Sequence, residues 1–238
     1  MEIEMIESLI ISFLLGVALA SFTISLAEQP LSSLWRSSIC DGCGHPLKIK
    51  QLVPVFSSFL KTICKCGHRP SLKYGILEAL LGFIFFTNTL VFEATLFGVL
   101  LNLFSLVSFY ISLVDWKTLH IPLISLCFLT ILSGLWSYFK EQIPIPVFIM
   151  LAGTIIFYFV WKFVKNTKPT GTADIFLFIL SGFWLPLNLI PFFLFLTGLC
   201  GIISFKFFNG IDGKFPFSPS IFLALWATIL MSTSLLYF

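Results

Sequence analysis

The stretch LFGVLLNLFSLVSFYISLVD, residues 96–115, decides how this chain is read. Residues 96–114 carry no charge, and the run then ends on a carboxylate, Asp115. A membrane-crossing helix needs about 20 mostly apolar residues. An aspartate costs about 2.5–3.5 kcal/mol at the bilayer centre, and less near the interface, unless something pairs or uses it. A second such junction stands at Asp174, which precedes the apolar run 175–185. Two aspartates at one membrane depth would make the two-carboxylate centre of an aspartyl protease.

The rest of the chain has the same character. It is 238 residues long, 58% hydrophobic and 11% charged, with a mean hydropathy of +1.03. A soluble domain would be about 25% charged. Charges and prolines mark off eight apolar spans at residues 6–27, 74–92, 95–114, 121–139, 146–164, 174–186, 189–207 and 219–237. The sixth is short. The run 175–205 is interrupted by Pro186, Asn188 and Pro191 and is read as two spans.

Charge placement tests that count. With eight spans and the N-terminus outside, all but Lys140 of the 14 Lys and Arg residues fall on the cytoplasmic side, as the positive-inside rule requires. Merging spans six and seven would put Lys206 and Lys214 outside. Residues 1–7 are acidic, unlike the basic lead-in of a cleaved signal peptide, so span one is kept as a membrane span. The expectation is an all-α polytopic membrane protein of about eight transmembrane helices. It lies in the cell's inner (cytoplasmic) membrane with the lipid bilayer as partner, and nothing points to nucleic acid.

Three segments follow: a first transmembrane helix (1–27), a cytoplasmic four-cysteine loop (28–73) and a transmembrane core (74–238). The loop holds two similar knuckles, Cys40-Asp-Gly-Cys43-Gly-His45 and Cys64-Lys-Cys66-Gly-His68. Zinc takes four tetrahedral soft ligands, and a Gly after each pair lets backbone amides turn toward the thiolates. A structural Zn2+ on Cys40, Cys43, Cys64 and Cys66 is expected, with His45 or His68 as substitute ligands because the second pair has one intervening residue. Four free thiols are the plainer alternative. Disulfides fit poorly in a cytoplasmic loop. Cys127 and Cys200 read as small buried hydrophobes.

Each aspartate has a setting. Asp115 leads into Trp116, Lys117 and then Ile121-Pro122; Asp174 follows Gly171, where the chain can approach closely. Taken singly, Asp174 is a helix cap and Asp115 an interfacial charge paired with Lys117. Taken together at one depth, the carboxylates share a proton, one taking a proton from water and the other donating to the scissile carbonyl. On the same side Asp212 and Glu78 compete as acids. No serine triad, phosphate loop or dinucleotide fingerprint appears.

At these residues the chain resembles the type IV prepilin peptidase family, membrane aspartyl proteases with a Gly-x-Gly-Asp motif. Gly16, Ser21-Phe22, the cysteine knuckles, Leu52-Val53-Pro54, Tyr74 and Glu78, Asp115 to Pro122, Gly171 to Asp174, and Pro216-Phe-Ser-Pro219 with Leu223-Ala224 carry the resemblance. It departs at Ala173, which replaces the second Gly, at Phe176, where many members carry Lys, and at Cys64, displaced by one position. The missing Lys and short length suggest the competence-type (ComC-like) branch.

The resemblance implies catalytic roles for Asp115 and Asp174 in removing the short basic leader of prepilins or pseudopilins. The cut falls after a Gly at the cytoplasmic membrane face. It also implies N-methylation of the new terminus with S-adenosylmethionine, for which the sequence has no binding signature of its own. Two other classes compete: a thiol-disulfide exchanger using the loop cysteines, and a zinc-loop scaffold without protease activity.

Overall fold

The computed structural model describes residues 2–28, 43–45, 66, 71–141, 144–165, 171–207 and 215–234. Among these, the regular structure is helical: α1 (Glu2–Glu28), α2 (Leu72–Phe92), α3 (Leu96–Thr118), α4 (Leu123–Phe139), α5 (Ile145–Lys165), α6 (Thr172–Ser181), α7 (Ile190–Phe207) and α8 (Ser218–Ser234). A short 3-10 turn, Leu187–Leu189, precedes α7. Four segments are long and apolar enough to cross a membrane: Glu4–Glu28, Leu72–Phe92, Leu96–Thr118 and Leu187–Lys206. Leu123–Phe139, Ile145–Val160 and Ser218–Ser232 are shorter apolar helices. The molecule is a membrane protein.

The chain divides into two compact units, Met1–Tyr110 and Ile111–Phe238. In the first, α1 packs along α2. The crossing is set by two glycines: a Cβ on Gly16 would stand 2.9 Å from both the Gly82 Cα and the Leu81 carbonyl oxygen. Small residues of this kind let helix backbones approach where no hydrophobic effect drives them together. Hydroxyls and amides then join the helices. Ser12 shares a hydrogen bond with Thr89 at 2.6 Å and donates to the Phe85 carbonyl at 3.1 Å. The Asn88 amide donates to Asn102 at 2.9 Å and to Ser105 at 3.2 Å. At the other end of this pair, the Tyr74 hydroxyl donates to Glu28 at 3.0 Å.

In the second unit α6 packs against α4, α5 and α8, and α8 against α7. Gly182 closes α6 against α5, since a Cβ there would lie 2.8 Å from the Val147 backbone. Beyond it, Trp184 is buried; its indole N–H donates to Ser133 at 2.8 Å and its ring stacks on Trp136 at 4.5 Å. Both partners sit in the second half of α4, so α4 and α6 run in the same direction. Lys140, just past α4, lies over the Trp136 ring at 5.0 Å, a cation–π contact.

Two expectations need correction. The sixth span, expected over 174–186, is the ten-residue helix Thr172–Ser181, about 15 Å long at the usual rise. It stops early because Gly182 and Trp184 turn into the contacts just described. Cys127 is exposed and Cys200 half-exposed, rather than buried. On α4 the inward face carries Ser125, Leu129, Ser133 and Trp136, and the helical repeat turns Cys127 away from it.

Candidate active site

Four helix ends supply the site, all within the second unit. α3 carries Asp115 in its last turn and stops when Leu119 takes a left-handed φ of 55°, the way many helices end. The Thr118 hydroxyl accepts the His120 N–H at 3.3 Å, and Pro122 starts α4. Helix α3 thus ends and α4 begins within seven positions of Asp115. His120 is exposed.

Asp115 is buried, 6% exposed. Its Oδ2 accepts two hydrogen bonds from Ser218, one from the hydroxyl at 2.7 Å and one from the backbone N–H at 3.2 Å. Ser218 is the first residue of α8, where backbone N–H groups lack intrahelical partners and the helix dipole is positive. Asp115 therefore caps a helix 103 positions away in sequence.

Asp174 lies in the first turn of α6, whose N-cap is Gly171. The Gly171 N–H donates back to the Asp174 carboxylate, one half of a capping box. Gly171 has an ordinary φ of −63°, so its value is space: a Cβ there would stand 3.3 Å from Asp174 Oδ2. The carboxylates of Asp174 and Asp115 lie near enough to interact electrostatically.

An aromatic wall frames this end. Phe217, immediately before α8, packs on Phe178 of α6 at 5.9 Å and on Phe215 at 5.8 Å. A Cβ on Gly201 of α7 would meet the Phe217 ring at 2.8 Å. Ser204 near the end of α7 and Ser220 at the start of α8 share a hydrogen bond of 3.0 Å. The ends of α3 and α7 and the starts of α6 and α8 are thus brought together.

Sequence reasoning named both aspartates and the Pro216-Phe-Ser-Pro219 turn, but gave Ser218 no part. The signal was present: a serine beside a proline ahead of an apolar run is a helix start with free N–H groups. Nothing in the sequence said which carboxylate those groups would meet. Glu78 is buried in the first unit. Of the cysteine set, Cys43 and Cys66 are described and exposed; Cys40, Cys64 and the competing Asp212 lie outside the described residues.

Comparison with known proteins gives a consistent result. Residues 10–92 match the bacterial Peptidase A24 N-terminal domain, and residues 102–205 match the type IV leader peptidase family. The chain is 25% identical over 198 residues to a prepilin leader peptidase/N-methyltransferase of Pectobacterium carotovorum subsp. carotovorum, covering 79% of this chain and 70% of that one. It is 24% identical over 213 residues to a protein of the same name from Pseudomonas putida, covering 82% and 72%. No solved structure matches.

Proposed function

The chain belongs to the type IV prepilin leader peptidase family and is an enzyme of that kind; on that premise we propose that it is an aspartyl endopeptidase with Asp115 and Asp174 as its catalytic pair. What carries this reading is that the helices bearing the two carboxylates both meet the start of α8, Asp115 through Ser218 and α6 through Phe178 on Phe217, which brings Asp174 within range of the Asp115 charge. Two close carboxylates do not both ionise readily, so one proton is shared between them. The ionised member takes a proton from water as that water attacks the scissile carbonyl, and the protonated member gives its proton to the carbonyl oxygen.

The substrate is a prepilin or pseudopilin whose short basic leader meets an apolar helix at the cytoplasmic membrane edge. The cut follows a glycine there, where a helical peptide bond is most easily unwound. Replacing either Asp115 or Asp174 by Asn should abolish leader removal from a co-expressed prepilin. Full processing by either single variant overturns the reading.

Residues 28–73 are read as a cytoplasmic domain whose Cys40, Cys43, Cys64 and Cys66 bind a structural zinc. Support comes from Gly44, which takes a left-handed φ of 67° directly after Cys43, as a zinc knuckle needs to turn its amides onto the thiolate. Metal analysis of the purified protein, with Cys43→Ser as control, tests it. The relatives' names also carry an N-methyltransferase. In the same reading S-adenosylmethionine would methylate the newly exposed amine, seen as one added methyl group in the mass of the processed pilin.

A further inference from the structure

The two carboxylates are not held alike, and the difference lies in Ser218. Asp115 accepts a hydroxyl and a backbone N–H on one oxygen, at the positive end of α8. Asp174, among the described residues, accepts the backbone N–H of Gly171. Donors aimed at a carboxylate favour its ionised form, and a hydroxyl adds to what the backbone supplies. Among the described residues, the titratable side chains on the other helices that meet here are Asp174 on α6 and Cys200 and Lys206 on α7, the lysine in its last turn, while α8 carries none. On its own helix, Lys117 stands two positions on and is exposed.

Resting on the aspartyl-protease reading, we propose that Ser218 is a positioning residue that holds Asp115 as the ionised, water-activating member of the pair and leaves the shared proton on Asp174. The bonds to Ser218 engage Oδ2 and leave Oδ1 to receive the water proton. As the water oxygen bonds to the scissile carbon, its proton passes to Asp115 and the Asp174 proton passes to the carbonyl oxygen. Collapse then re-forms the carbonyl and breaks the C–N bond. The leaving nitrogen takes the proton from Asp115, and Asp174 recovers its own. Ser218 touches neither water nor peptide; it acts through Asp115.

The test is the pH dependence of kcat/KM for leader cleavage by the full-length protein in detergent, using a prepilin peptide with Ser218 wild type, Ser218→Ala and Ser218→Thr. Loss of one charge-assisted hydrogen bond should move the acid limb of the Ser218→Ala profile upward by about one pH unit. Ser218→Thr, which keeps the hydroxyl, should return it to the wild-type position. A Ser218→Ala profile that falls evenly with an unmoved acid limb makes the serine merely structural and overturns the assignment. So does a Ser218→Thr profile that follows alanine. A wild-type protein that leaves the peptide uncut sinks the protease reading itself, a distinct outcome.

Discussion

Asp174 Oδ2 stands 3.3 Å from the point where a side chain on Gly171 would begin. The hydrogen bond that Gly171 donates to this carboxylate draws the two residues together, and the absence of a Cβ makes the approach comfortable. Gly171→Ala should therefore displace the carboxylate by a few tenths of an ångström without disturbing the helix, since φ at this position suits any residue. A misplacement of about 1 Å can cost 100-fold in rate; a smaller shift should cost about ten-fold. Leader cleavage by protein matched for membrane level measures it, and wild-type cleavage by Gly171→Ala would show that the space has no purpose.

The two aspartates should also behave as one unit. Each role in the mechanism requires the other, so the doubly substituted Asp115→Asn, Asp174→Asn protein should cleave no more slowly than either single variant. Multiplying losses would mean that the carboxylates act independently. Single-turnover cleavage is the measurement, because slow product release would mask the difference.

How much of this was legible in the sequence depends on the kind of feature. Charge gave the expectation that Asp115 and Asp174 share one side, because lysines and arginines sort across a membrane. It could not find Ser218, because a neutral hydroxyl leaves no charge signature and its partner lies 103 positions away. Cys127 was misread because an all-apolar helix gives no hydrophobic stripe from which to tell its inward face. That face is marked by Ser125 and Ser133, the reverse of a soluble helix. The end of α6 was misplaced for another reason. Gly182 is only a weak local stop after Ser181; Trp184 fixes the end by reaching Ser133 on another helix.

That tryptophan contact should be measurable. Ser133→Ala leaves a buried indole N–H without the acceptor it has at 2.8 Å, which should cost about 1–3 kcal/mol. Trp184→Phe removes donor and ring area together. Because the residues touch, the double variant should be less destabilised than the sum of the singles by about 0.5–3 kcal/mol. Denaturant unfolding in detergent, followed by tryptophan fluorescence, checks this. Strict additivity would mean the hydrogen bond contributes nothing.

In the first unit, Gly16 and Gly82 set the α1–α2 crossing. Gly16→Val would drive its Cβ into the Gly82 Cα and the Leu81 carbonyl, both 2.9 Å away and both backbone. Neither can move as a side-chain tip could. Overpacking of this kind costs about 1–3 kcal/mol, and the thermal midpoint in detergent should fall. The contrast is Gly134→Ala, in open space within 4 Å, which should leave the midpoint unchanged or raised.

The topology expected from charge puts Lys117 and Lys140 on opposite faces of the membrane, joined by α4. Lys140 sits on the Trp136 ring, an aromatic–cation pair suited to an interface where an apolar ring ends and water begins. Lys117 follows Asp115 on the face read as cytoplasmic. With single substitutions Lys117→Cys and Lys140→Cys in intact cells, a membrane-impermeant thiol reagent should add label at residue 140 and at residue 117 only after permeabilisation. The parent chain supplies the background from its native cysteines. Labelling of both from outside would break the topology, and with it the cytoplasmic placement of Asp115, because a leader-cleaving site must meet its substrate before the pilin leaves the membrane.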